Sequence, residues 1–346
     1  MARVLCLRKD YPMRKLGLTA VLLAVLAASL AALPATATHA TTNGLIAFNA
    51  NVQGTSQVFT IRPDGTGLTQ LTHGKPGAGQ YGVTWSPDGT SVLYQVPGRS
   101  FDILYKADAD GSGATHWSPP CTHRCLGDDY PAYSPSGGQV AFERAFGPVK
   151  NNTAAVDAIF TTNAQAGALT QLTQKKTPTS TEDHRPAWSP NGKQIVFQRL
   201  NTLASPRNLG AIYVMNANGS APRKLTALAM DAGSPYWSPD SKTIVFNSYQ
   251  DGSPTGKDAN IYTIRPDGTG LKQLTHYSGG HLQALAKDFS PDGTKIVFHL
   301  RGPNESGPGF NQLFTMNADG NAIHQLTHLS PRSNPGGGSA SWGTAS

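Results

Sequence analysis

The side chains here whose types and positions could do chemistry are a scatter of histidines and aspartates. His73, His276 and His328 each directly follow a Leu-Thr pair. His184 sits between Asp183 and Arg185, His281 precedes a short apolar segment, and Asp231 and Asp288 occupy comparable places elsewhere. Imidazole and carboxylate together form a donor set for a divalent cation, and with arginine they also suit an anionic or sugar ligand. Such chemistry requires that distant segments be brought to one place. The plain alternative for His73, His276 and His328 is a repeated position at an exposed outer edge.

Cys121 and Cys125 lie in Cys-Thr-His-Arg-Cys. In an oxidising compartment they are expected to form a short disulfide that pins a loop. The competing arrangement is a metal site that also uses His116 and His123. Familiar catalytic signatures do not occur: no Gly-x-Ser-x-Gly, no His-Glu-x-x-His and no phosphate-binding glycine loop. Arg-Pro-Asp-Gly-Thr-Gly at 62–67 and 265–270 looks like half a calcium loop without the distal glutamate, and is expected to be a hairpin turn.

The elements that must position these residues come from an internal repeat. WSPDGTSVLY (85–94) recurs as YSPSGGQVAF (133–142), WSPNGKQIVF (188–197), WSPDSKTIVF (237–246) and FSPDGTKIVF (289–298). A second block, such as AIYVMNANGSAPRKLTA (211–227) or NIYTIRPDGTGLKQLTH (260–276), follows each one. The spacing of roughly 50 residues is that of a propeller blade. Ile-Val-Phe and Ile-Tyr-Val-Met are short β-branched and aromatic runs that favour strands. Ser-Pro-Asp-Gly and Asp-Gly are turns, because proline fixes φ, aspartate bonds the next backbone groups and glycine takes positive φ. Each repeat therefore predicts four antiparallel strands, and stacking the sheets radially buries both apolar faces of each.

The repeat begins halfway through, at NGLIAFNA (43–50), and ends at SASWGTAS (339–346). Trp342 stands where Trp85, Trp188 and Trp237 stand. The two ends are thus expected to complete one blade, closing a six-bladed, all-β propeller by pairing the N-terminal strands with the C-terminal strand. The tryptophans are expected to pack blade against blade. Ser136 replaces the turn aspartate in one repeat, Ser241 replaces the turn glycine in another, and AQAG (164–167) lacks its aspartate, which predicts looser turns there.

These motifs resemble the TolB-like β-propeller family, whose repeat runs W-S-P-D-G, then I-A-F, then I-Y-x-M with D-G, then L-T. The resemblance covers residues 42–346. It implies a non-catalytic binding or scaffold protein that docks a cell-envelope protein or polysaccharide, and a monomer. The small N-terminal α/β domain of TolB itself has no room here, so the same partner is not assumed. Some lyases resembling this repeat family bind metal in the channel. They supply the alternative of metal-assisted polysaccharide lysis or hydrolysis by channel-mouth histidines. No cofactor is expected.

Strand direction puts all the tight turns on one face and the variable connections, such as 145–157, 200–210 and 249–259, on the other. Binding residues concentrate on variable loops carried by a rigid frame, so that second face is the expected ligand face. His184, His281 and Asp288 are expected nearest the axis. Arg185 and Asp231 should lie at the same rim, and His73, His276 and His328 farther out.

Arg14 and Lys15 precede an apolar run, Leu16 to Leu33, followed by Ala35-Thr36-Ala37. This is the pattern of a secretory signal spanning residues 1–40, with cleavage after Ala37 or Ala40 and the propeller over 41–346. An uncleaved anchor is the alternative. Cys6 precedes the apolar run and is not a lipoprotein cysteine. Residues 1–40 hold +4 of the chain's +7, leaving +3. Export and so small a surplus argue against nucleic acid as a partner and for a secreted or periplasmic location without a membrane span.

Overall fold

The computed structural model describes residues 42–75, 79–98, 102–121, 125–147, 156–173, 181–202, 209–249, 258–278, 282–302, 311–329 and 339–345. The signal-like segment therefore lies outside the described residues. Six four-stranded antiparallel sheets account for almost all of the regular structure. We number the blades I to V in chain order and call the split blade VI.

In each blade the inner strand comes first: Tyr81–Trp85 in I, Cys125–Tyr133 in II, Thr181–Trp188 in III, Ala232–Trp237 in IV and Gln283–Phe289 in V. Second, third and short outer strands follow in order. In blade VI, Ala340–Thr344 is the inner strand and Asn43–Val52 the second. They pair antiparallel, Ile46 with Trp342 and Phe48 with Ala340, and the ring closes as the sequence predicts. The approach is tight: a Cβ on Gly44 would lie 2.4 Å from the Thr344 carbonyl oxygen. No helix among the described residues is long and apolar enough to cross a membrane.

The apolar second strands follow from this stacking. Successive side chains point to opposite sheet faces. Ile46 and Phe48 pack against Val297 and Leu313 of blade V, whereas Ala47 packs with Val83, Trp85 and Tyr94 of blade I. Both faces are buried, so the strand reads as a continuous apolar run. Trp85, Trp188, Trp237 and Trp342 are all buried, and Trp237 donates its indole N–H to the Ala187 carbonyl of the preceding blade, 3.2 Å away.

The substituted turns are not loose. Gly89 N donates to Ser86 O at 2.9 Å, Gly137 N to Ser134 O at 2.8 Å, and Ser241 N to Ser238 O at 2.9 Å. The Ser136 hydroxyl takes the place of the carboxylate and accepts from Gly138 N at 3.3 Å. Ser241 holds φ +60 without being glycine, and its hydroxyl accepts from Asn191 N of the neighbouring blade at 3.0 Å. In the AQAG turn, Asn163 Oδ1 accepts from Gly167 N at 2.8 Å. Other polar atoms replace the missing aspartate or offset the missing glycine.

Candidate functional site

Each inner strand runs from the loop-bearing end toward its Ser-Pro turn, and most carry a bulge partway along. The pairing register slips between Tyr81 and Thr84, Asp129 and Ala132, His184 and Ala187, and Gly233 and Tyr236. The residue three before the closing aromatic is Gly82, Tyr130, Arg185 and Ser234 in these blades, and each has positive φ. Only the first is glycine. Holding an arginine or tyrosine there costs on the order of 1–3 kcal/mol, and such strain gathers at sites that need a side chain aimed unusually.

Here it aims three side chains from adjacent blades at one another. Arg185 donates to the Tyr130 hydroxyl (2.8 Å) on one side and the Ser234 hydroxyl (3.1 Å) on the other. Its guanidinium lies 4.1 Å from the centre of the Tyr130 ring, within cation–π range. Glu143, on the second strand of blade II (Gln139–Phe146), accepts from Arg185 N at 3.2 Å and from His184 Nδ1 at 2.8 Å. His184 Nε2 faces Glu182 at 3.5 Å and Asp157 at 3.9 Å. Burial opposes protonation of His184, but Glu143 above all, then Glu182 and Asp157, outweigh it and lift its pKa to about 10. The imidazole is therefore a cation at neutral pH.

Carboxylates crowd the same region. Burial, then repulsion from Glu143 and Asp102, raises Asp129 to about 8, so it retains a proton at pH 7. Burial also raises Asp102, and Gln95 donates to both carboxyl groups. Across the channel, Lys287 is 1% exposed. Burial, assisted by Arg185, lowers its pKa to about 7. His299 lies against it, fully buried, and is lowered to about 3 by burial and then by Lys287.

The residues expected from the sequence separate into groups. His184 and Arg185 are central. Asp288 is on an inner strand but nearer the turn end. It accepts from Phe289 N at 2.9 Å and, across the blade boundary, from Trp342 N at 3.0 Å, so it fastens blade V to the closing strand. Asp231 has φ +45 and accepts from Gly210 N at 2.9 Å, holding blade III to the start of the next inner strand. Asp183 is fully buried and pairs with Arg199 at 2.6 Å, as Asp128 pairs with Arg144 at 2.6 Å in blade II.

His73, His276 and His328 are exposed at the ends of the outer strands of blades VI, IV and V and do not meet one another. The threonine before each histidine carries the repeat: Thr72, Thr275 and Thr327 accept from Val58, Ile261 and Leu313 N of the third strand at 2.8–2.9 Å. His281 lies outside the described residues, as does His123. Cys121 and Cys125 are placed as a disulfide pair with Cα atoms 5.7 Å apart.

Tyr130, Asp129, Glu143, Asp157, Glu182 and Lys287 were not singled out by residue type. A signal existed. The residue after the aromatic of the second strand is Asn49, Gln95, Glu143, Gln198, Asn247 or His299, polar in all six blades inside a strand buried on both faces. A buried polar group needs a partner, and in three blades the partner lies in the next blade's inner segment: Gln80 O for Asn49, Asp129 for Gln95 and His184 for Glu143.

No family model matches the sequence. A curated TolB homolog from Chlorobium luteolum is 28% identical over 148 residues, which is 43% of this chain and 30% of that relative's length. A structure assigned as TolB from Agrobacterium tumefaciens superposes with a TM-score of 0.61 at 20% identity, covering 85% of this chain and 91% of the other. The chain has the β-propeller fold of TolB. TolB from Acinetobacter baumannii gives a TM-score of 0.64 at 17% identity, and here the TolB-like chain covers 66% of the larger protein. An oligogalacturonate lyase in complex with manganese has a TM-score of 0.54 at 20% identity, covering 82% of this propeller and 73% of that chain. Identities this low speak to fold alone.

Proposed function

We propose that this TolB-like propeller is a non-catalytic binding scaffold of the cell envelope, docking an envelope protein or polysaccharide on the loop-bearing end of its channel. The observation that carries this reading is the Arg185 bridge. Three adjacent blades hold strained inner-strand residues so that one cation, framed by Tyr130 and Ser234, is fixed beside a bank of carboxylates. Arg and Tyr in that setting are the residue types on which binding energy concentrates. The signal-like segment at residues 1–40 and the TolB likeness support an envelope location.

The test is a pull-down from envelope extract, with and without prior protease treatment, followed by titration of the recovered partner. Arg185→Ala and Tyr130→Phe should weaken binding, the former at least tenfold, with melting curves showing that both variants fold. Asp64→Ala and Asp267→Ala, on the opposite face, should bind as wild type. Loss of binding in the turn variants with retention in Arg185→Ala would place the partner on the wrong face for this proposal.

A further inference from the structure

Between blades II and III the donor atoms around His184 are arranged in two shells. Glu143 accepts from His184 Nδ1 with one carboxylate oxygen (2.8 Å) and from Arg185 N with the other (3.2 Å), so both its oxygens are engaged. This fixes the ring orientation and aims Nε2 at Glu182 Oε2 (3.5 Å) and Asp157 Oδ2 (3.9 Å). The Nε2 atom is buried and has no hydrogen-bond partner. Both separations exceed the usual hydrogen-bond range. The Glu182 separation matches the spacing of two ligand atoms on one tetrahedral ion, about 3.3–3.5 Å when each bond is about 2.0–2.2 Å, and the Asp157 separation is somewhat longer. Glu143, Asp157 and His184 each offer an atom within 4.8 Å of the others, and Glu182 lies beside that group rather than in it.

The surrounding charge favours an added cation. Glu143, Glu182 and Asp157 act on His184, and Glu143 acts on Arg185 as well, with His184 and Arg185 as the cations among them. A carboxylate that holds the second nitrogen of a histidine while the first faces other carboxylates is the outer support usual for a metal-bound imidazole.

We propose that Nε2 of His184 and the carboxylate of Asp157 form the core of a site for a borderline divalent cation such as Zn2+ or Mn2+, with Glu182 as an adjacent carboxylate and Glu143 as the positioning residue. One imidazole among oxygen donors suits such ions better than Ca2+ or Mg2+. The ion takes the place of the Nε2 proton, which leaves to solvent, and one or more waters complete its coordination. The site joins blade II, through Glu143 and Asp157, to blade III, through Glu182 and His184. The proposal stands independently of the partner-binding reading.

Chelator-treated protein is titrated calorimetrically with ZnCl2, MnCl2 and CaCl2, and melted with and without each ion. The expected result is one Zn2+ or Mn2+ per chain, a raised melting temperature, and binding at least tenfold weaker for Ca2+. His184→Gln should abolish uptake. Asp157→Asn and Glu182→Gln should each weaken it at least tenfold with metal-free melting near wild type, and Glu143→Gln about 10–100-fold. Asp157, at a strand start and partly exposed, keeps the test valid if His184→Gln fails to fold. Absence of stoichiometric uptake by wild type overturns the proposal, leaving His184 as a plain counter-charge. So does uptake that survives both His184→Gln and Asp157→Asn.

Discussion

On the tight-turn face, Asp267 accepts from the backbone N–H and the hydroxyl of Thr269, two residues away, and Asp88 does the same with Thr90 while also accepting from Ser86. Hydrogen bonding to these neighbours lowers the pKa of both. On the channel wall, Asp129 and Asp288 are raised, Asp288 to about 7, with burial the chief cause in each. Asp129 takes a hydrogen bond from Gln95 of the preceding blade, and Asp288 takes one from Trp342 of the closing strand besides that from its neighbour Phe289. The same residue type thus serves two purposes. A turn aspartate is satisfied by its own few residues and can repeat unchanged around the ring. A wall aspartate depends on what the next blade offers, so every blade differs, and differences of that kind distinguish one ligand from another.

The contrast breaks most visibly at a long-range pair. Asp128 and Arg144 are both almost fully buried and meet at 2.6 Å. Asp128→Ala leaves the guanidinium without its counter-charge and should cost about 3–5 kcal/mol in urea melts. A midpoint near wild type would mean that the pair is dispensable. Next is pH. The folded pKa of Asp288 lies above its unfolded value of about 3.8, so its contribution is fully present below that value and is lost as pH rises through about 7. Wild type should lose on the order of 1–2 kcal/mol between pH 4 and 7, discounting for water in the channel. Asp288→Asn should flatten that slope, and an unchanged slope would assign it to other groups.

Lys287 runs the other way. Its folded pKa is depressed to about 7, so charge burial costs most below pH 7 and the cost disappears as pH rises toward its unfolded value of about 10.5. Lys287→Met should therefore stabilise the protein at pH 6, with the gain shrinking by pH 10. A gain independent of pH would deny the buried charge. The turn side should respond least. Asp267→Ala should lower the neutral-pH midpoint only slightly and flatten the acid limb below about pH 4, because a lowered pKa confers stability that is present above the unfolded value of 3.8 and lost as pH falls through the folded one. Cys121 and Cys125 are expected to resist alkylation without reductant, as read by mass. Their replacement should matter little, since so short a loop restricts little unfolded-chain entropy.

The sequence foretold the ring because its determinants are local and repeated. Ser-Pro-Asp-Gly specifies a turn wherever it stands, and Trp342 betrayed the shared blade by matching Trp85 and Trp237. Even the altered turns at Ser136 and Ser241 kept their geometry, because a hydroxyl accepts the same backbone N–H or reaches the neighbouring blade. The site was only partly legible. His184 and Arg185 stood out by type, but Glu143 and Asp157 did not, since their importance comes from a neighbouring blade's bulge. Leu-Thr-His misdirected attention: the threonine is the structural residue, and the histidine beside it points to solvent. Lys287 is ordinary in sequence and exceptional only because burial makes it so.

Asn43–Val52 and Ala340–Thr344 meet although nearly the whole domain separates them along the chain. Every other blade pairs strands that are neighbours in sequence and can form as soon as its own stretch of chain exists. The split blade cannot. During vectorial synthesis it stays an open arc whose exposed edge waits for the final strand, so the emerging protein is most vulnerable to edge pairing with other chains just before completion. Circularisation offers a remedy within reach of the fold: Ala345 N already bonds to Thr42 O at 2.9 Å, so a short linker between the ends, with new termini opened in a blade-to-blade connection, would turn the last event of assembly into an early one.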